Sequence, residues 1–290
     1  MSDRRPATAA PSFVNWARQQ VAANVLRRVS AAFGAAGVTI LPVKGLITAR
    51  LLYEDLAQRP ISDIDLRIMR KDLTRAVRVA DRHGWRPRAS APRLWEAVLT
   101  VDDFEVDIEC SLGPPGFCAI PIADTIRRAR TRLDPLGFPY LEPELHDHAL
   151  FLVANAFKDG LQIMPWALED LRRILRHPQL NQTTLILRAR QGGILSALWV
   201  VADWLATSHS LQEWGRLRDQ IGASPPSARV AYLYSYLQCR GWSAKPALLA
   251  VASSNDRPIA SGLGMVLAML GILRGRAVRA FGARPGRVTG

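Results

Sequence analysis

Three aspartates are the residues of this sequence best suited to chemistry. Asp63 and Asp65 lie in the stretch 61–68, and Asp107 lies in the stretch 104–110. In both stretches apolar and polar residues alternate, which predicts β-strands whose residues i and i+2 share a face. Neighbouring carboxylates repel each other unless a cation lies between them, and hard oxygen donors of this kind suit Mg²⁺. The pattern predicts a metal site, and a third carboxylate from a neighbouring strand allows two metals.

The second acidic stretch leaves a choice between carboxylates. The period of two places four acids on one face of that strand, namely Asp103, Glu105, Asp107 and Glu109. Only one or two of them can reach the first pair, and Glu105 is equally consistent with a solvated edge. An Asp-x-Asp pair alone is also typical of turn caps and exposed strand edges. The choice between a metal site and a turn cap or exposed edge therefore depends on the elements that surround the acidic residues.

Those elements are predicted from apolar spacing and from turn residues. A helix at 13–34 is followed by an apolar strand at 38–43, which ends at Lys44 and Gly45. The next predicted elements are a helix at 46–57, a strand at 62–69, a helix at 71–83 and a hairpin of 94–101 with 104–112.

This order of motifs resembles the nucleotidyltransferase superfamily of the DNA polymerase beta type. Within it, the chain is most similar to the bacterial family of uncharacterised nucleotidyltransferases, over about residues 20–180. Glu109, Asn155 and Asp159 stand where members of that family often carry histidine. The residues that carry the resemblance are Lys44, Gly45, Tyr53, Arg59, Asp63, Ile64, Asp65, Leu66, Val106, Asp107, Ile108, Asn155, Ala156, Phe157, Lys158, Trp166, Glu169, Asp170 and Leu171.

The resemblance implies an α+β fold, with a small mixed sheet flanked by helices and followed by a mostly helical C-terminal domain. It implies that Asp63, Asp65 and Asp107 are catalytic residues and ligands of Mg²⁺ or Mn²⁺. Further site residues are expected among two groups: nucleotide contacts at Lys44, Gly45, Arg59 and Lys158, and second candidates at Glu109 and Asp170.

Several of these residues also have a purely structural interpretation. Gly45 would let the backbone approach phosphates closely, whereas Lys44 adds a point charge or is a solvated residue at the end of a strand. Arg59 either contacts a phosphate or forms a salt bridge with an aspartate. Asp170 either lines the nucleotide site or pairs with Arg173, three residues further along one helix.

The pattern becomes helical after the acidic strands, which predicts three parts. Residues 1–140 are predicted to form the catalytic domain, 141–274 a helical domain that closes the cleft, and 275–290 a disordered basic tail. The segment 117–144 is predicted to be irregular apart from a basic helical piece at 126–130. Helices of the second part are predicted at 146–157, 166–175, 185–190, 194–205, 211–220, 228–240 and 258–273.

Composition limits the classes of partner. Hydrophobic residues make up 49% of the 290 residues, and 38 basic against 25 acidic residues give a net charge of +13. A basic surface attracts phosphate-bearing partners, but an arginine-rich, lysine-poor composition is also typical of a GC-rich genome, so nucleic acid is a weaker expectation. The apolar segment between Arg257 and Arg274 is short for a membrane span. Three cysteines without metal-ligand spacing and a start without a secretory signal predict a cytoplasmic protein.

The sequence therefore predicts a Mg²⁺-dependent nucleotidyltransferase. The donor is expected to be a nucleoside triphosphate or an activated nucleotide, and the acceptor a hydroxyl group of a small molecule, a peptide or a protein. Two alternatives stay open: a module that binds nucleotide or RNA without catalysis, and a toxin-type transferase that acts on tRNA. The complete set of three acids favours the enzyme.

Overall fold

The α+β fold predicted from the sequence is confirmed. In the described residues, a five-stranded mixed sheet is combined with a two-stranded ribbon and with helices that precede, interrupt and follow the strands along the chain. The computed structural model describes residues 13–87, 95–113, 116–134 and 137–224, with residues 228, 256, 257, 266 and 270.

Two of the strands carry the acidic residues. The strands are β1 (Ile40–Val43), β2 (Asp63–Ile68), β3 (Arg86–Pro87), β4 (Glu96–Val101), β5 (Phe104–Glu109), β6 (Arg130–Leu133) and β7 (Pro139–Glu142). The large sheet has the order β1-β2-β5-β4-β3, in which only β2 and β5 run parallel. Asp102 and Asp103 join β4 to β5 with φ angles of 49° and 61°, as the tight turn of a two-residue hairpin requires.

The helices of the first half cover the sheet, and those of the second half follow one another closely. They are α1 (Phe13–Ala35), α2 (Gly45–Leu52), α3 (Leu73–Arg82), α4 (Ile122–Arg128), α5 (Leu145–Lys158), α6 (Pro165–Arg176), α7 (Gln182–Gln191), α8 (Leu195–Ser208) and α9 (Gln212–Ile221).

The two faces of the large sheet differ in polarity because the strands alternate. Along β2, Ile64 and Leu66 point into a hydrophobic core that α1 and α3 complete. Asp63, Asp65 and Arg67 therefore point to the opposite face. This alternation keeps one face for packing and leaves the other face for polar side chains.

A second hydrophobic core lies among the helices from α5 to α9. It also includes Leu41 and Val43 of β1, so the helical half packs directly on the sheet. The contact brings the end of α5 and the start of α6 near the polar face of β2 and β5, where both border one cavity. The division of the chain into domains at residue 140 stays a prediction.

Most predicted elements agree with the structure to within three residues at either end. One helix is shorter than predicted: α2 ends at Leu52, because Tyr53 is extended and a short 3-10 turn at Leu56–Gln58 follows. The side chain of Asp55 accepts a hydrogen bond from the backbone of Ala57 and caps that turn.

The segment 117–144 is more regular than predicted, and that prediction was wrong in part. It contains α4 and a hairpin in which Arg130 pairs with Glu142 and Leu133 with Pro139. The strands of this hairpin are only four residues long, and β7 begins with a proline, which is unusual inside a strand.

Three predictions concern residues outside the described part of the chain. The helices at 228–240 and 258–273 fall there apart from isolated residues, and the basic tail at 275–290 falls there entirely. Among the helices that are described, none combines the length and the apolar character needed to cross a bilayer.

Candidate active site

The three aspartates of the sequence prediction meet at one point of the sheet. The parallel pairing of β2 with β5 places Asp65 directly beside Asp107, and Asp63 lies two residues before Asp65 on the same face. Each side chain offers one carboxylate oxygen such that the three oxygens lie within 4.8 Å of one another. Within the described residues, no other group of three or more acids, histidines or cysteines converges in this way. We refer to Asp63, Asp65 and Asp107 as the aspartate cluster.

Among the three carboxylates of the aspartate cluster, that of Asp107 has the fewest hydrogen-bond partners. Its Oδ1 atom is buried and has no hydrogen-bond partner. Burial, followed by the negative charges of Asp65 and Asp63, raises the pKa of Asp107 to about 6. A buried carboxylate with like charges beside it and no donor is costly unless a cation joins it. The cluster therefore has the charge and the oxygen atoms that attract a cation.

One protein cation already contacts the aspartate cluster. Lys44 follows β1 directly, and its Nζ atom lies 2.6 Å from Oδ1 of Asp65. Burial has the largest single effect and would lower the pKa of Lys44, but the charges of Asp65 and Glu109, together with the hydrogen bond to Asp65, outweigh it and the pKa is raised. Lys44 is thus a positive charge at neutral pH, and not a base. In the described part of the chain, no basic side chain is within ion-pair distance of Asp63 or Asp107.

Glu109, the second candidate for the third acid, has a different environment. Arg67 contacts it at 2.6 Å and Lys158 at 3.6 Å. Burial would raise the pKa of Glu109, but the charges of Arg67 and Lys158 lower it to about 2. Glu109 therefore forms ion pairs with two basic side chains. It does not belong to the aspartate cluster.

Arg59 forms the salt bridge that was one of its two interpretations. Its Nη2 atom lies 2.8 Å from Oδ2 of Asp170, and its Nη1 atom donates to the carbonyl of Pro60. Asp170 is 1% exposed and also accepts a hydrogen bond from the hydroxyl of Tyr53 at 2.8 Å. The pairing with Arg173, which was one of the alternatives for Asp170, is not formed: Arg173 instead bonds Glu169. The helix brings Glu169 to Arg173 at a spacing of four, while Asp170 points inward to α2.

A cavity of about 300 Å³ connects the aspartate cluster to the helical half. Its floor includes the cluster together with Lys44, Gly45, Arg59 and Glu109. Its other wall comes from the end of α5 and the start of α6, with Asn155, Lys158, Asp159, Gln162, Ile163, Met164, Trp166 and Ala167. This cavity is charged at one end and apolar beside Trp166.

All the predicted nucleotide contacts border this cavity, whereas Asp170 lies behind Arg59 and does not. A methyl group added to Gly45 would lie 3.4 Å from the carbonyl oxygen of Asp63 and 3.5 Å from Ile61. The absence of a side chain there matches the close approach of α2 to the start of β2. Whether phosphates approach Gly45 stays a prediction, as do the roles of the other site residues.

Sequence reasoning missed two charged residues of the site. Arg67 lies beneath Glu109 with 1% exposure, and the period of two that selected Asp65 also places Arg67 on the polar face. Asp159 accepts a hydrogen bond from the side chain of Asn155 at 3.0 Å, and burial raises its pKa. No local pattern indicated that Asp159 would border the cavity.

Comparison with known protein families is consistent with this geometry. Residues 10–207 match the model of the family described as "Uncharacterised nucleotidyltransferase". No curated protein sequence shows significant similarity to the chain.

Three solved structures show distant similarity. The solution structure of the antibiotic-resistance factor ANT(2'')-Ia has 13% identity and a TM-score of 0.41, and the match covers 77% of this chain and 98% of that chain. The crystal structure of ANT(2'')-Ia in complex with adenylyl-2''-tobramycin has 14% identity and a TM-score of 0.42, with 60% and 99% covered. The Thermotoga maritima CCA-adding enzyme complexed with tRNA has 13% identity and a TM-score of 0.28, with 92% and 87% covered.

Proposed function

We propose that this chain, which belongs to the uncharacterised nucleotidyltransferase family, moves a nucleotidyl group from a nucleoside triphosphate or activated nucleotide to a hydroxyl acceptor. Divalent metal is held by Asp63, Asp65 and Asp107. The observation that carries this proposal is the convergence of three carboxylate oxygens within 4.8 Å of one another. The family supports nucleotidyl transfer in general, and the cluster supports a metal-dependent form of it.

The donor atoms of the cluster fit a hard cation such as Mg²⁺ or Mn²⁺. All three ligands are carboxylates, which these ions prefer. The buried Oδ1 atom of Asp107 without a partner is the kind of oxygen that a metal would satisfy. When bound, the metal neutralises phosphate charge and lowers the pKa of the acceptor hydroxyl.

The remaining charges of the cavity belong to the chain itself and are suited to hold the donor. Lys44 and Lys158 present ammonium groups to the same space as the aspartates, and such groups attract phosphate oxygens. The guanidinium of Arg59 is held by Asp170 and Pro60, so it fixes the start of β2 with less freedom to follow a phosphate. Phosphoryl transfer depends mainly on positioning and charge neutralisation, and this constellation supplies both.

The wall of the cavity beside the cluster is suited to a hydroxyl acceptor. The wall beside the cluster offers hydrogen-bonding groups at Asn155, Asp159 and Gln162, and an apolar surface at Trp166. A hydroxyl of a small molecule, a peptide or a protein would suit such a wall.

The test is a transfer assay with nucleoside triphosphates labelled at the α-phosphate. Each nucleotide is incubated with Mg²⁺ or Mn²⁺ and with cell-extract fractions that supply acceptors. Asp107→Asn should lose labelled product by at least about 10³-fold, because one ligand of the metal is removed. Glu105→Gln is the matched control, because it removes one charge from the same strand at a residue outside the cavity.

Labelled product from the wild type and from Glu105→Gln, but not from Asp107→Asn, supports the proposal. Equal product from Asp107→Asn would contradict it. Nucleotide binding without any transfer, in every fraction tested, would favour a binding module instead.

A further inference from the structure

Lysine is rare in this chain but concentrated at the candidate site. The sequence contains 38 basic residues, and only four of them are lysines. Two of these four, Lys44 and Lys158, border the cavity at the aspartate cluster. A lysine ammonium is a compact charge on a flexible stem, whereas a guanidinium prefers a fixed, planar pairing. The two lysines therefore place compact charges on flexible stems beside the aspartate cluster.

Lys44 is the lysine that contacts the aspartate cluster itself. Its Nζ atom lies 2.6 Å from Oδ1 of Asp65, and the two side chains are 14% and 7% exposed. Lys158, in contrast, contacts Glu109 at 3.6 Å. The two lysines share one cavity, but only Lys44 holds an oxygen of the proposed metal site.

The backbone of Lys44 adopts an unfavourable conformation. Its φ and ψ angles are 51° and −146°, a region that glycine enters easily and residues with a side chain rarely do. Such a conformation costs free energy and persists only where the surrounding structure enforces it. A glycine would relieve the strain here, so the lysine side chain is retained at a cost. The contact with Asp65 accounts for that retention.

We propose that the ammonium group of Lys44 occupies the place of a metal cation in the aspartate cluster, and that it moves from Asp65 to the phosphates when a metal-bound nucleotide enters. This inference rests on the proposed function. An ammonium and a divalent cation on one carboxylate repel each other. Metal alone must displace Lys44 without offering it a new partner, whereas a metal-bound nucleotide brings phosphate oxygens that Lys44 can contact.

Two consequences follow for binding. Lys44 weakens the binding of metal in the absence of nucleotide, because its charge competes for Asp65. It also makes metal and nucleotide bind cooperatively, because each ligand favours the moved position of the lysine. A lysine that simply neutralised the cluster in every state would produce neither effect.

The experiment measures Mn²⁺ binding by the loss of the electron paramagnetic resonance signal of free aqueous Mn²⁺, with and without a non-hydrolysable nucleoside triphosphate. Lys44→Met should bind Mn²⁺ alone at least about tenfold more tightly than the wild type, because a competing charge is removed. Lys158→Met is the matched control: it removes the same charge from the same cavity, and should change the affinity by less than about threefold. The enhancement of Mn²⁺ binding by nucleotide should be smaller in Lys44→Met than in the wild type.

The Mn²⁺ affinities of the wild type and the two variants distinguish a failure of this inference from a failure of the proposed function. Equal Mn²⁺ affinity of the wild type and Lys44→Met would overturn the lysine exchange and leave the metal site standing. An equally large gain in Lys158→Met would also overturn it, because overall charge would then explain the result. Failure of the wild type and of Lys44→Met to bind Mn²⁺, with or without nucleotide, would overturn the metal site and the exchange together.

A second measurement reads the movement of Lys44 in the wild-type protein and uses a variant only to assign one signal. Wild-type protein labelled with ¹⁵N-lysine has four side-chain ammonium groups, which nuclear magnetic resonance can follow separately. The signal of Lys44, identified from its absence in Lys44→Arg, should shift when Mg²⁺ and the nucleotide analogue are added together. An unchanged Lys44 signal at saturating ligand would overturn the exchange.

Discussion

Arg59 contacts Asp170 and borders the cavity of the aspartate cluster, and these two acidic groups differ in the hydrogen-bond partners of their carboxylates. Asp170 accepts hydrogen bonds from Arg59 and from Tyr53. In the aspartate cluster, Asp107 has a buried oxygen without a partner and like charges beside it. Both are made of the same residue types. Of the two, only the aspartate cluster contains a buried carboxylate oxygen without a hydrogen-bond partner.

This difference distinguishes a structural ion pair from the candidate metal site. A buried charge with a full set of partners ties elements together, here the start of β2, the end of α2 and the middle of α6. A buried charge without partners destabilises the fold, and is retained where a ligand compensates for it. The comparison leads to opposite predictions for removing each carboxylate.

The largest effect on stability is expected for Asp170→Ala. The substitution leaves the guanidinium of Arg59 buried without its carboxylate, which should lower the free energy of unfolding by about 3–5 kcal/mol. Glu169→Ala is the control on the neighbouring residue, whose carboxylate pairs with Arg172 and Arg173 near the surface. It should cost less than about 1 kcal/mol. Urea denaturation measures both, and similar losses would remove the distinction between the two groups.

A smaller effect of opposite sign is expected for Asp107→Asn. Without metal at pH 7.5, it should raise the free energy of unfolding by about 0.5–2 kcal/mol, because it removes like-charge repulsion at a functional site. Thermal melts in the presence of a chelator measure this change. Asp65 is less suited to the test, because its removal also leaves Lys44 without its partner. A lower melting temperature for Asp107→Asn would mean that its carboxylate is structural.

The smallest expected effect is the pH dependence of the difference in the free energy of unfolding between Asp107→Asn and the wild type. The pKa of Asp107 is raised to about 6 in the folded protein from an ordinary value of 3.8. The folded state therefore binds the proton more tightly, and metal-free wild type loses stability as the pH rises from 3.8 through 6. Asp107→Asn lacks this loss, so the stabilisation measured at pH 7.5 should shrink as the pH falls below 6. Melts of both proteins across this range measure it, and a constant difference would contradict the assigned environment.

The aspartate cluster could be predicted because it depends on local periodicity. The spacing of Asp63 and Asp65 fixes their common face, and one parallel pairing then places Asp107 beside them. Glu109 shares that face, so the pattern could not rank it below Asp107. The ranking depends on Arg67 and Lys158, of which Lys158 comes from the distant helix α5.

The Arg59–Asp170 pair could not be predicted with the same certainty. The two residues are 111 positions apart, and each has other partners that sequence spacing would allow. Arg173 lies three positions from Asp170 but bonds Glu169 instead. Long-range pairing depends on how the helical half packs on β1, and no short pattern encodes that packing. The contact of Lys44 with Asp65 likewise depends on a backbone conformation that sequence does not indicate for lysine.

The most direct test of the account is to locate the metal. A crystal of the protein grown with Mn²⁺ and a non-hydrolysable nucleoside triphosphate allows the metal to be found from its anomalous scattering. The account predicts a peak about 2.0–2.3 Å from carboxylate oxygens of Asp63, Asp65 and Asp107. A peak at another group of acids, or no peak at the aspartate cluster although the nucleotide is bound in the cavity, would contradict it.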